Sequence, residues 1–348
     1  MIVIPAAPLY HHTKEIAVTT QLETWLAKTT EEPIDPDLPI CDPHHHLWDR
    51  PDDRYLLEDL LQDTGSGHNI VDTVFVECSS MYRTDGPVEM QPVGETEFVQ
   101  GVAEQNMSGR RSKTAVNAGI VGFADLTLGS GVAKVLEAHM AASPDRFRGI
   151  RHASIWHADR QFASASKKEL LPDRTFREGF GVLGKFGLSF DACLYHPQIT
   201  ELADLATANP DVTVILDHIG FPLGIGPYAG QRDEVFQEWK RSMTALAASP
   251  NVVVKLGGLG MPMYGNGWHE LDQPPGSVEL AEGMEPYFFH CIEQFGVDRC
   301  MFESNFPVDK VSYSYNVMWN AFKRVANDFS AEEKKMLFHD TAARVYRL

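Results

Sequence analysis

Eight short apolar runs recur along this 348-residue chain, each followed by an amphipathic or loop-rich stretch, and that alternation constrains the fold more than any other feature. The runs are Leu38 to His44, Val71 to Cys78, Val116 to Ala124, Phe147 to His152, Leu188 to Tyr195, Val212 to His218, Val252 to Leu256 and Cys300 to Ser304. Most are apolar throughout, as expected of strands covered on both faces of a parallel sheet. The segments Gly131 to Ala142, Ile199 to Ala208, Phe236 to Ala248 and Met284 to Phe295 carry apolar residues at helical spacing. Alternating strands and helices require parallel pairing with right-handed crossovers, and a series of eight predicts an α/β fold closed as a (β/α)8 TIM barrel over residues 37–348. An open nucleotide-binding sheet also needs a phosphate loop. The glycine-rich stretch Gly220 to Gly230 lacks that spacing, and its prolines suggest a substrate loop.

Residues 1–36 form an N-terminal extension with one helix predicted around Gln21 to Lys28, expected to cover the barrel bottom or to pack on a second copy of the chain. Near the C-terminus, Ser330-Ala331-Glu332-Glu333 reads as a capping box, and Asp340 is placed to cap a last helix, Thr341 to Tyr346.

The net charge of −18 argues against a nucleic-acid or anionic-membrane partner, since both require clustered lysine and arginine. No apolar run is long enough to span a bilayer. Five cysteines without a C-x-x-C pair read as free thiols in a cytoplasmic protein. A small molecule is therefore the expected partner.

In such a barrel the chemistry sits at the C-terminal ends of the strands. The first run ends in Asp42-Pro43-His44-His45-His46-Leu47-Trp48-Asp49, where His44 and His46 share a face and can aim two imidazoles at one divalent ion. Trp48 follows as a substrate contact. His196, before a proline at the end of the fifth run, is a third candidate ligand. His218, before a glycine turn, is placed to polarise a carbonyl or orient water. Glu303 and Asn305 point the same way along the eighth run. A carboxylate at Glu303 is costly inside a barrel unless it is paired or metal-bound, and Lys255 is its obvious partner. Arg83, Arg151 and His152 end other strands, where arginine forks suit an anionic substrate.

These pieces together resemble the amidohydrolase-related (amidohydrolase 2) family, the lactonase and decarboxylase branch of the amidohydrolase superfamily. The match runs from about residue 38 to the C-terminus. It rests on the His44 segment, Arg148-Gly149-Ile150-Arg151-His152, His196-Pro197-Gln198, Leu216-Asp217-His218-Ile219-Gly220, Lys255-Leu256-Gly257-Gly258-Leu259 and Ser304-Asn305-Phe306-Pro307. The resemblance implies a barrel hydrolase that opens a small carboxylate-bearing lactone with a single zinc or manganese ion on His44, His46 and His196. It assigns the strand-six histidine to His218. The family's strand-eight aspartate falls on Asn305, so Glu303 is expected to supply the displaced base, relayed through Asn305, while His218 stabilises the oxyanion. A metal-dependent non-oxidative decarboxylase of an aromatic or unsaturated acid is the alternative. A barrel that has lost catalysis and only binds a ligand is the third reading.

Overall fold

A computed structural model describes residues 18–51, 53–109, 112–159, 162 and 164–348. Eight parallel strands follow one another around a single sheet in chain order. They are β1 (Pro39–His45), β2 (Asn69–Val76), β3 (Ala115–Gly122), β4 (Phe147–Arg151), β5 (Ser189–Ala192), β6 (Val214–Leu216), β7 (Val252–Leu256) and β8 (Cys300–Phe302). Helices fill the crossovers, among them Ile199–Ala208, Arg232–Ala247 and Ser277–Phe295. β5, β6 and β8 are shorter than the apolar runs predict, because the chain leaves the sheet as soon as its side chains turn to the barrel mouth.

The barrel closes where the last strand meets the first. Just beyond β8, the Asn305 N–H donates to the His44 carbonyl (2.9 Å) and the His46 N–H to the Phe306 carbonyl (2.8 Å). Buried Asp42 locks this seam. Its carboxylate accepts from the Ser304 N–H (3.0 Å), the Ser304 hydroxyl (2.6 Å) and the Tyr315 hydroxyl (3.0 Å). Close strand approach elsewhere depends on a missing side chain: a Cβ on Gly149 of β4 would lie 2.1 Å from Ser189 Oγ of β5.

The barrel bottom is closed by the C-terminal helix. Ala342, Val345 and Tyr346 pack into an apolar layer made by Cys41, Val74, Val76, Val121, Ile215, Val253 and Met301. The described part of the N-terminal extension lies elsewhere, on the helical shell: Trp25 Nε1 donates to the Leu271 carbonyl, and Glu31 accepts from the Ser277 N–H and the Asn320 amide. Ser330 caps the helix Ala331–Lys335 through the expected reciprocal box with Glu333. Asp340, expected to cap the last helix, does not. It has helical backbone within a continuous π-to-α run, and its carboxylate is held by His339 and Lys335. The five cysteines are free thiols, and among the described residues no helix is long and apolar enough to cross a membrane.

Because Asp42 gathers three donors at the seam, Asp42→Ala is expected to cost about 3 kcal/mol or more, the scale of losing hydrogen bonds to a buried charge. Urea denaturation at neutral pH reads this loss, and an unchanged midpoint would remove the carboxylate from the closure of the barrel.

Candidate functional site

Alternation along the strands stacks a charged layer directly above the apolar one. Two residues past Ile215, Val253 and Met301 come Asp217, Lys255 and Glu303, all buried. Lys255 Nζ sits among Asp191 Oδ2 (2.7 Å), Asp217 Oδ1 (3.0 Å) and His44 Nδ1 (3.1 Å). Burial opposes the ammonium, but Asp191 and Asp217 hold its pKa above the ordinary lysine value. Burial likewise pushes Asp217 up, yet Lys255 and His44 hold it well below the usual carboxylate range. The expected Lys255 to Glu303 hydrogen bond is thus replaced by bonds to the two aspartates.

Glu303 is left to a histidine. Its Oε1 accepts both from the His218 backbone N–H (3.0 Å) and from His218 Nδ1 (2.6 Å), and Oε2 lies 2.9 Å from His44 Nδ1. Although burial pushes the Glu303 carboxyl up, His218 and His44 hold it at about 2. Two glycines make room for this pair. A Cβ on Gly257 would meet Glu303 Cγ at 2.4 Å, and one on Gly258, where φ is +78°, would meet His218 Cβ at 2.6 Å. The motif Lys255-Leu256-Gly257-Gly258 therefore supplies one cation and two clearances.

The histidine tautomers follow from their partners, because a carboxylate or a carbonyl can only accept. His218 donates from Nδ1 to Glu303, so in the neutral ring Nε2 is a bare lone pair. His46 Nδ1 donates to the Val76 carbonyl (2.8 Å), so its Nε2 is also bare and lies 3.3 Å from His44 Nε2. His44 is neutral: burial and then Lys255 push its pKa down to about 4. Arg151, expected at the rim, lies inside this cluster. Its Nε donates to Glu77 Oε1 (2.9 Å), and Nη1 stands 3.3 Å from His44 Nε2 and 3.5 Å from Asp217 Oδ2.

The other predicted site residues take different partners. Arg83 is on the surface and is paired with Glu97, which corrects its reading as a free substrate fork. Asn305 has left-handed backbone (φ 55°), and its amide donates to Asp309 Oδ1 (2.7 Å), so alternation fails past β8 and no relay from Glu303 passes through it. His152 Nδ1 accepts the Leu126 N–H (3.2 Å), and the ring packs between Phe123 and Phe176. Trp48 stacks on His46 with ring centres 6.0 Å apart. His196 is buried at the end of β5, where its Nδ1 accepts the Leu223 N–H (3.3 Å). Sequence reasoning missed Asp217 and Asp191. Period-two spacing from Ile215 marks Asp217 as interior, whereas His218 reaches the mouth only through left-handed backbone (φ 53°) that spacing cannot reveal.

The donor chemistry suits a divalent ion. Ligand atoms of His44, Asp217 and His218 lie within 4.8 Å of one another, and His46 adds a further lone pair. In the contact network around them, Asp191, Asp217, Glu303 and Glu77 outnumber the two cations Lys255 and Arg151, leaving two negative charges for an ion to balance.

Residues 41–348 match the family model described as Amidohydrolase. The chain is 36% identical to protein y4mH of Sinorhizobium fredii, with 90% of this chain and 99% of the relative aligned. It is 26% identical to L-fucono-1,5-lactonase of Burkholderia ambifaria, covering 77% and 87% of the two chains. Among solved structures, a zinc-bound amidohydrolase from Burkholderia multivorans superposes with a TM-score of 0.69 at 22% identity, covering 89% of this chain and 99% of that one. A manganese-bound 5-carboxyvanillate decarboxylase from Novosphingobium aromaticivorans shares the fold at a TM-score of 0.56 and 14% identity, covering 90% and 97%.

Lys255 pairs with two buried aspartates at once. Lys255→Met is therefore expected to destabilise the chain by about 3–5 kcal/mol, the cost of stranding a buried charge. Chemical denaturation measures it, and a loss below about 1 kcal/mol would show that the network tolerates an unpaired acid.

Proposed function

This chain belongs to the amidohydrolase family, and on that premise we propose that it is a hydrolase that opens a small lactone by water attack. One observation carries the reading. His218 presents a bare Nε2 while its other nitrogen is anchored on buried, ionised Glu303, the arrangement of a general base with an orienting carboxylate. His218 Nε2 accepts the water proton as the water oxygen attacks the ester carbon, and returns it to the ring oxygen as the acyl C–O bond breaks and the ring opens to a hydroxy acid. Glu303 holds the ring in the required tautomer and stabilises the imidazolium. The base role expected of Glu303 thus passes to His218, and the oxyanion role expected of His218 passes to Arg151. Arg151 Nη1, next to His44, supplies positive charge where the carbonyl oxygen becomes negative.

His44, His46 and Asp217 would hold the divalent ion, leaving His218 free for the proton. Bound there, zinc or manganese would supply Lewis-acid polarisation of a carbonyl and a lowered pKa for water.

The lactonase relatives favour a cyclic ester. Arg83 and Arg151 both have carboxylate partners already, which removes the receivers expected for a substrate carboxylate and favours a neutral, hydroxylated lactone.

Glu303→Gln keeps the size of the side chain but removes the charge beside His218. It is expected to lower kcat by about 100-fold or more with little change in KM. Acid release from a panel of hydroxylated 1,5-lactones, followed by pH-stat, checks this, and turnover near that of the unmodified chain would overturn the dyad. Bicarbonate release from a parallel panel of aryl carboxylates, with none of the lactones opened, would favour a decarboxylase instead. Elemental analysis of the purified protein is expected to find about one zinc or manganese per chain, the single-ion count of an open catalytic site.

A further inference from the structure

His196 stands one ring away from His218 on the same rim. Its backbone N–H donates to the Phe221 carbonyl (3.3 Å), and the Phe221 ring packs edge-on to His218 with centres 4.9 Å apart. Since the Leu223 N–H donates to His196 Nδ1, that nitrogen holds a lone pair, and a neutral ring must then carry its proton on Nε2. Nε2 is buried and has no hydrogen-bond partner among the described residues. What lies nearby is the ring of Tyr228, edge to face at 5.1 Å. A ring face is a weak acceptor for an N–H. Tyr228 comes from the glycine-rich loop after β6 and is half-buried, its hydroxyl within 3.2 Å of His157 Nε2 on the loop after β4. The His196 donor therefore sits beneath the half-buried ring of Tyr228, one ring away from the catalytic histidine.

We propose that His196 is a substrate-recognition residue, whose Nε2–H donates to a ring hydroxyl of the substrate once Tyr228 moves aside, and that it is not a metal ligand. A ligand nitrogen must offer a lone pair, and here the lone pair is already committed to Leu223. An unpaired buried donor also discriminates sharply: a ring hydroxyl in reach satisfies it, whereas an unsubstituted methylene at that position leaves it stranded. The substrate class is accordingly a polyhydroxylated cyclic ester rather than an unsubstituted one. This substrate class rests on the lactonase reading, but the donor assignment does not.

The test uses two lactams as unreactive stand-ins, the hydroxylated 1,5-lactam of fuconic acid and δ-valerolactam, with calorimetry as the readout. His196→Phe is expected to weaken binding of the hydroxylated lactam about tenfold, as for loss of one hydrogen bond to a buried donor, and to leave δ-valerolactam and bound zinc unchanged. Equal affinity for the hydroxylated lactam in both proteins, or loss of zinc in the variant, would overturn the proposal. A second measurement needs no substitution. In 15N-histidine NMR of the zinc-loaded full chain, His196 is expected to show a protonated Nε2, and a metal-bound signal there refutes the assignment. If the unmodified protein opens no lactone yet binds the hydroxylated lactam through His196, the lactonase reading fails and the donor stands. If it opens lactones but His196→Phe binds the lactam as well as before, the donor fails and the lactonase reading stands.

Discussion

Everything in the mouth of this barrel is arranged around one ammonium group. Lys255 lies within hydrogen-bond distance of two aspartates and a histidine that come from three other strands. A lysine without partners at that depth would give up its proton or open the fold. With Asp191 and Asp217 as its partners it stays charged. Glu303, whose closest contacts are histidines, then serves imidazoles instead of a cation. Below this layer Tyr346 adds its hydroxyl to Asp191 (2.7 Å), so the helix that plugs the barrel floor also completes the polar network.

The second dependency is the seam. His44 and Glu303 belong to the first and last strands, and their 2.9 Å approach exists only because Asp42 and Ser304 draw those strands together. Barrel closure and site assembly are thus one event. The family's strand-eight aspartate is an asparagine here, and its side chain turns to Asp309. Glu303 stands two residues earlier, where its carboxylate meets His218 and His44.

Much of this was legible in the sequence. The order of strands, the closure, and the gathering of His44, His46 and Glu303 at one end follow from apolar runs and period-two spacing. What stayed hidden has physical causes. Spacing says which face a residue takes only while the chain remains a strand, and it leaves that geometry at the left-handed positions of His218 and Asn305. Spacing also cannot divide one cation among three competing acids. Asp217 and Asp191 won Lys255, and Arg151 was drawn inward to Glu77 rather than outward to substrate. Nor does a histidine's letter disclose which nitrogen holds its proton. That required the backbone N–H of Leu223, twenty-seven residues on from His196.

The clamp between Asp42 and Ser304 joins residues 262 positions apart, and this separation has a cost during biosynthesis. A ribosome adding about 5–20 residues per second exposes the opening histidines for on the order of ten seconds or more before their acidic partner leaves the exit tunnel. Throughout that interval the growing sheet has an open edge on each side, able to pair with a neighbouring nascent chain. Crowded polysomes are thus one setting in which the early strands can mispair, and chaperone shielding of them would oppose it.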